Sequence, residues 1–131
     1  NLKSWAVEKN YPYEAVSYIR NNPIKGNMLN DYSWGGYLIW QLPEYKTFID
    51  GRMTAWRNDK NYLMEDYKKI FGDTDKNSDL LNDYIESYDI KWVLNQPDSN
   101  VIKFLKENKS DEWKVVFEDD VSIILKKANS L

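Results

Sequence analysis

Cysteine and histidine are both missing from this chain. Their absence removes disulfides, thiolate zinc sites, a cysteine nucleophile, any Ser-His-Asp triad and imidazole acid–base chemistry. Catalysis would have to use carboxylates, Lys, Tyr, Arg or a hard metal ion. No apolar run approaches the ~20 residues that cross a bilayer, and no signal-peptide pattern is present. A basic stripe is lacking as well: 18 Lys and Arg are spread among 21 Asp and Glu, for a net charge of −3. Without the phosphate-neutralising term that dominates nucleic-acid binding, no nucleic-acid partner is expected. The five glycines form neither a GxGxxG nor a Walker pattern, so no cofactor is expected.

What remains is material for a core. Of 131 residues, 42% are hydrophobic and 15% aromatic, enough for one domain that buries roughly two thirds of the surface its unfolded chain exposes. The chain opens on Asn1 rather than Met and reads as an excised or processed piece of something longer. Residues 1–10 read as a lead-in from whatever precedes them, and 11–131 as a single α/β domain.

The organising stretch is Asn30-Asp31-Tyr32-Ser33-Trp34-Gly35-Gly36-Tyr37-Leu38-Ile39-Trp40, answered by Phe48-Ile49-Asp50-Gly51-Arg52. Two short apolar runs each stop at an Asp, in the order strand, loop, helix, strand, loop. Before them, Tyr11-Pro12-Tyr13-Glu14 opens a helix that ends at Asn22-Pro23, and Lys25-Gly26-Asn27 is a turn. Ser33 reads as the cap of the next helix, with Leu38, Ile39 and Leu42 toward the core. Helical stripes follow at Leu63, Tyr67, Ile70 and Phe71 and at Leu80, Leu81, Tyr84, Ile85 and Tyr88. A third strand runs from Ile90 to Leu94, and a helix capped by Asp98 or Ser99 carries Val101, Ile102 and Leu105. Alternation through Trp113, Val115 and Phe117, then Val121, Ile123 and Leu125, gives an antiparallel hairpin turning at Asp119-Asp120, a solvated turn. Strands separated by helices imply an α/β fold: a three-layer, mainly parallel sheet of about five strands, Rossmann-like without the dinucleotide motif, with helices on both faces and a C-terminal antiparallel hairpin.

Loops at the carboxyl ends of strands in such a sheet line the usual ligand crevice. Gly35 and Gly36 at a helix start either bare backbone N–H groups for an anion or let the helix lie close to the sheet. Asp31 and Asp50 can accept from sugar hydroxyls or flank a metal. Arg52 can fork onto an anionic ligand or clamp one of those carboxylates, and the clamp is expected because acids outnumber nearby cations. Of the aromatic group Tyr32, Trp34, Tyr37, Trp40 and Trp56, most are assigned to the core or to a face toward a neighbouring domain, and only Trp34 and Trp56 to the rim of a site.

The succession Tyr-Pro-x-x-Ala-Val-x-Tyr-Ile, Asn-Asp-Tyr-x-Trp-Gly-Gly-Tyr-Leu-Ile-Trp-x-Leu, Phe-Ile-Asp-Gly-Arg and Trp-Lys-Val-Val-Phe-Glu-Asp-Asp-Val-Ser-Ile-Ile-Leu, from about Tyr11 to Lys127, resembles a known kind of domain. It is similar to the soluble C-terminal domain that follows the multi-pass membrane region of bacterial and archaeal proteins resembling GT-C type, dolichyl/polyprenyl-phosphate-mannose-like glycosyltransferases. Catalytic acids in that family lie in loops between membrane helices, so the resemblance carries no catalytic residue onto this chain. It implies an extracytoplasmic accessory domain on a cell membrane, partnered by the membrane-embedded region of the same polypeptide; the favoured reading adds a glycan, lipid-phosphate (polyprenyl-phosphate) or acceptor bound through Asp31, Trp34, Asp50 and Arg52. That reading needs no metal. The alternative is a stand-alone carboxylate- or Mg²⁺-dependent hydrolase or transferase using Asp31 and Asp50.

Overall fold

The structure, a computed structural model, describes residues 1–45, 47 and 60–128, the side chains of residues 60–63 excepted. Apolar spacing accounts for its helices. In α1 (Leu2–Glu8) the Asn1 side chain caps Ser4 and Ala6 is buried. In α2 (Tyr13–Asn21) Ala15, Val16 and Ile19 form the buried stripe, while Glu14 in the first turn and Arg20 in the last complement the helix dipole. After β1 (Asn27–Asn30), a 3-10 turn (Tyr32–Trp34) leads into α3 (Gly35–Gln41). Two further helices, α4 (Lys60–Gly72) and α5 (Ser78–Ser87), precede β2 (Ile90–Asn95). Ser99 caps α6 (Asn100–Asn108), which buries Val101, Ile102, Phe104 and Leu105. The hairpin of β3 (Trp113–Glu118) and β4 (Ile123–Lys127) ends the described chain.

The strand order is β1-β2-β4-β3. β1 and β2 run parallel, with Met28 beside Trp92 and Asn30 beside Leu94, whereas β4 is antiparallel both to β2 and to β3. This overturns the expected mainly parallel sheet of about five strands: the described residues form four strands, of which a single pair is parallel. The reason lies in the hairpin. It does not hang on the edge of a parallel sheet; its second strand inserts beside β2. Ile123, Ile124 and Leu125 are all fully buried, as an inner strand covered on both faces requires. β3 takes the edge, with Lys114 and Val115 exposed. Between Val115 and Phe117 the register shifts by a bulge, so the expected Trp113, Val115, Phe117 face is broken: Trp113 joins one core while Phe117 packs against the other. Of the strand expected at residues 47–50, residues 48–50 lie outside the described residues.

Side chains alternate along the strands and feed two cores. Met28, Trp92, Leu94 and Ile124 pack with Ala6, Val16, Ile19, Leu38 and Leu42 from α1–α3 and the residue that ends α3. On the opposite face, Leu29, Ile90, Val93, Ile123 and Leu125 pack with Ile70, Leu81, Ile85, Ile102 and Leu105 from α4–α6. Arg20 ties α2 to α3 by donating to the Gln41 carbonyl at 2.9 Å and to Gln41 Oε1 at 2.6 Å.

Because β1 and β2 are parallel and β4 opposes them, one end of the sheet gathers three connections. These are the loop after Asn30, the loop after Asn95, and the hairpin turn that joins Glu118 to Ile123.

Candidate functional site

Asp31 is the hub of that end. Its N–H donates to the Leu94 carbonyl at 3.2 Å, extending the parallel ladder by one residue. Its Oδ1 accepts from the Ser33 N–H at 2.7 Å and the Ser33 hydroxyl at 2.6 Å. Oδ2 accepts from Gln96 Nε2 at 2.9 Å. One carboxylate therefore closes the turn after β1 and fastens it to the loop after β2.

The expected roles of Asp31 and Ser33 are thereby exchanged. Asp31, not Ser33, caps the 3-10 turn that leads into α3. A carboxylate already occupies this helix start, where an anion was one reading of Gly35 and Gly36. Gly35 is buried, whereas Gly36 has open space where a Cβ would stand, so close packing does not explain the second glycine. Asp31→Ala removes both the cap and the cross-loop bond, and is expected to lower stability by about 1–2 kcal/mol. A urea melt tests this: loss below ~0.5 kcal/mol, the range of an ordinary surface change, would show that the hub holds nothing together.

Trp34, expected on the rim, is 3% exposed. Its indole Nε1–H donates to the Asn10 carbonyl at 3.2 Å, pinning the α1–α2 loop, where Asn10 adopts the left-handed conformation that asparagine tolerates. Tyr37 is buried, whereas Trp40 is 59% exposed on α3. Asp50, Gly51, Arg52 and Trp56 lie outside the described residues.

Beside the Asp31 turn, and lined by the Ser33 and Gln96 that Asp31 holds, opens a crevice of about 690 Å³. Lys9, Asn10 and Tyr11 come from the α1–α2 loop, and Ser33 and Trp34 from the turn after β1. Gln96, Pro97 and Asp98 come from the loop after β2, and Asp120 and Val121 from the hairpin turn. The hairpin turn is shaped by Asp119, whose Oδ1 accepts from the N–H groups of Val121 at 2.9 Å and Ser122 at 2.8 Å. That local closure leaves the neighbouring Asp120 to line the crevice. At the ends of β1 and β2, Asn30 and Asn95 are buried amides. Asn30 Nδ2 donates to the Asp31 carbonyl at 2.8 Å, and Asn95 Oδ1 accepts from the Gln96 N–H at 2.8 Å.

The charge of the lining and a phenol behind the Asp31 loop bear on the chemistry of this end. Lys9 is the cation of the lining, against Asp98 and Asp120 with Asp31 close by, so the local charge disfavours an anion. Behind the Asp31 loop, Tyr67 accepts from the Tyr32 N–H at 2.9 Å. Burial pushes its phenol far above the ordinary value; the Tyr32 N–H opposes that and nearby Asp31 adds to it. Tyr67 is thus a neutral brace rather than an acid or base. Among the described residues no three carboxylates converge as a metal site would need.

Lys9, Gln96, Asp98 and Asp120 were not singled out from sequence as site residues. The signal for two of them was available: Asn95-Gln96-Pro97-Asp98 follows a strand, as Asp31 does, and the same strand-end rule applies there. Comparison with protein-family models, with curated proteins and with solved structures found no match to this chain.

Proposed function

We propose that this chain is a binding domain, an extracytoplasmic accessory domain of a membrane-embedded glycosyltransferase-like protein, and that its crevice takes a neutral glycan. The membrane context rests on the sequence resemblance. The glycan rests on one observation: the crevice presents a hydroxyl, amides and two carboxylates beside Tyr11, with more acid than base. Planar amide and carboxylate groups match paired sugar hydroxyls, and aromatic carbon matches the C–H faces of a sugar ring. A polyprenyl phosphate, the other ligand suggested by the resemblance, meets the wrong charge at this crevice.

Asp31 is committed to Ser33 and Gln96, which leaves it poorly placed to act as a general base. The isolated chain is therefore expected to turn over no sugar nucleotide, polyprenyl-phosphate sugar or phosphate ester, with or without Mg²⁺. Turnover abolished by Asp31→Asn would replace the binding reading with an enzyme.

The direct test is an amide-resolved NMR titration with neutral monosaccharides and, separately, inorganic phosphate. Sugar is expected to move the amides of Ser33, Gln96 and Asp98. Asp98→Ala, which alters an exposed side chain, should weaken binding roughly tenfold, about 1.4 kcal/mol. A response to phosphate at those amides, with none to sugar, would sink the proposal.

A further inference from the structure

We infer that the crevice continues onto an aromatic strip, Tyr11–Trp5–Trp40, on which successive rings of an oligosaccharide stack; this rests on the glycan reading of the crevice and names its ligand as a chain rather than a single sugar. Tyr11 belongs to the crevice wall. From it the rings run without a gap: Trp5 lies 5.3 Å from Tyr11, and Trp40 5.8 Å from Trp5, centroid to centroid. Beneath them Tyr37 stacks on Tyr11 at 4.7 Å and touches both indoles, at 6.3 and 6.4 Å. The strip is thus braced by a buried ring and continuous with the site.

Exposure separates these two tryptophans from the others that are described. Trp34, Trp92 and Trp113 are core residues, whereas Trp5 is 40% and Trp40 59% exposed. An indole left in water forgoes the burial that its surface favours, so two side by side mark a contact surface. Their planes meet at 81°, which offers ring faces in two directions. Such a corner fits a flexible chain of small rings better than a straight helix.

Charge beside the strip is balanced. Lys3 pairs with Glu14 at 3.2 Å, and its ammonium sits 5.8 Å from the Tyr13 ring centroid. That pairing neutralises Lys3 on the helix that carries Trp5, which weakens the draw on anionic lipid or an acidic peptide.

The experiment is a calorimetric titration of the whole chain with two neutral series, manno-oligosaccharides and N-acetylchito-oligosaccharides, each from the monosaccharide to the pentasaccharide. Vesicles of phosphatidylcholine with phosphatidylglycerol serve as a separate probe. Affinity in at least one series is expected to rise with length, by roughly tenfold, the scale of truncating an aromatic anchor. Trp40→Ala, at the more exposed position, and Trp5→Ala should each erase much of that rise and leave the monosaccharide affinity unchanged. Asp98→Ala should lower affinity equally at every length. Monosaccharide binding with no gain on lengthening, or a gain that survives both tryptophan changes, overturns the strip and leaves the crevice standing. A length-dependent, tryptophan-dependent affinity that Asp98→Ala leaves unchanged keeps the strip and removes the crevice. Absence of any sugar binding overturns both. Tryptophan-dependent partition onto vesicles without a sugar response overturns the strip in favour of a lipid surface.

Discussion

Trp92→Ala is expected to lower the free energy of unfolding by about 3–5 kcal/mol, the range for deleting a large buried aromatic side chain. Trp92 is fully buried on an inner strand, at the middle of the core shared with α1–α3. The substitution would open a void that helices on one side and sheet on the other cannot close together. It would also remove a hydrogen bond: the indole Nε1–H donates to the Gly26 carbonyl at 2.9 Å and so holds the turn before β1. Tyr45 meets the indole edge-on at 5.5 Å and would lose that partner. Trp92→Phe separates the contributions. It keeps an aromatic ring against Tyr45 but removes the donor, and should cost less, about 1–3 kcal/mol. Since whole domains are stable by only about 5–15 kcal/mol, the alanine variant should populate unfolded chain at moderate urea. A loss below about 1.5 kcal/mol for Trp92→Ala would show that this core does not carry the fold.

The sheet shows which parts of this architecture sequence pattern can reveal. Helical stripes such as Ala15, Val16, Ile19 and Val101, Ile102, Leu105 report one buried face, and that face is the one the structure buries. Strand direction is not encoded in such local patterns. β2 looks the same from sequence whether its second neighbour is parallel or antiparallel, because an inner strand is apolar on both faces in either case. The hint lay in β4: Ile123, Ile124 and Leu125 are consecutive, and a strand with one face in water would alternate. Reading that run as doubly buried would have moved the hairpin from the edge to the middle. The bulge after Val115 had no sequence signal, as neither Gly nor Pro marks it.

At the site, the strand-end rule located Asp31 but not its work. An Asp after a strand and two residues before a Ser can face a ligand or hold its own turn, and the spacing Asp-x-Ser favours the second because the side chain reaches an N–H two residues on. Trp34 was placed on the rim for a related reason. With a straight helix assumed from Ser33, Trp34 falls near the open end; the 3-10 turn rotates it inward against Asn10, while Trp40 turns outward. The crevice itself needed three loops brought together by the sheet order, and a hairpin placed at the edge cannot deliver Asp120 to it.

Gly26→Ala should be the other large effect, at about 2–4 kcal/mol, because two independent penalties fall on one atom. Gly26 has φ +100, a conformation in which an L-residue places its Cβ against its own backbone at a cost of roughly 1–2 kcal/mol. The added Cβ would also stand 2.5 Å from Lys91 Cβ, with Lys91 Cγ nearer still. Lys91 belongs to β2, and its Cβ is fixed by the strand rather than free to swing away as the end of the side chain would be. Relief would require separating β1 from β2 where their register already shifts, between Asn27 and Met28. It would also move the Gly26 carbonyl off the Trp92 indole. A double-mutant cycle with Lys91→Gly divides the two penalties. If the overlap matters, Gly26→Ala should cost about 1–2 kcal/mol in the Lys91→Gly background, the backbone strain alone, and the difference from the wild-type background is the contact. Equal costs in the two backgrounds would assign the whole effect to backbone conformation. A cost under about 0.5 kcal/mol in wild type would mean that the turn before β1 reshapes freely and that its approach to Lys91 does not constrain the parallel pair.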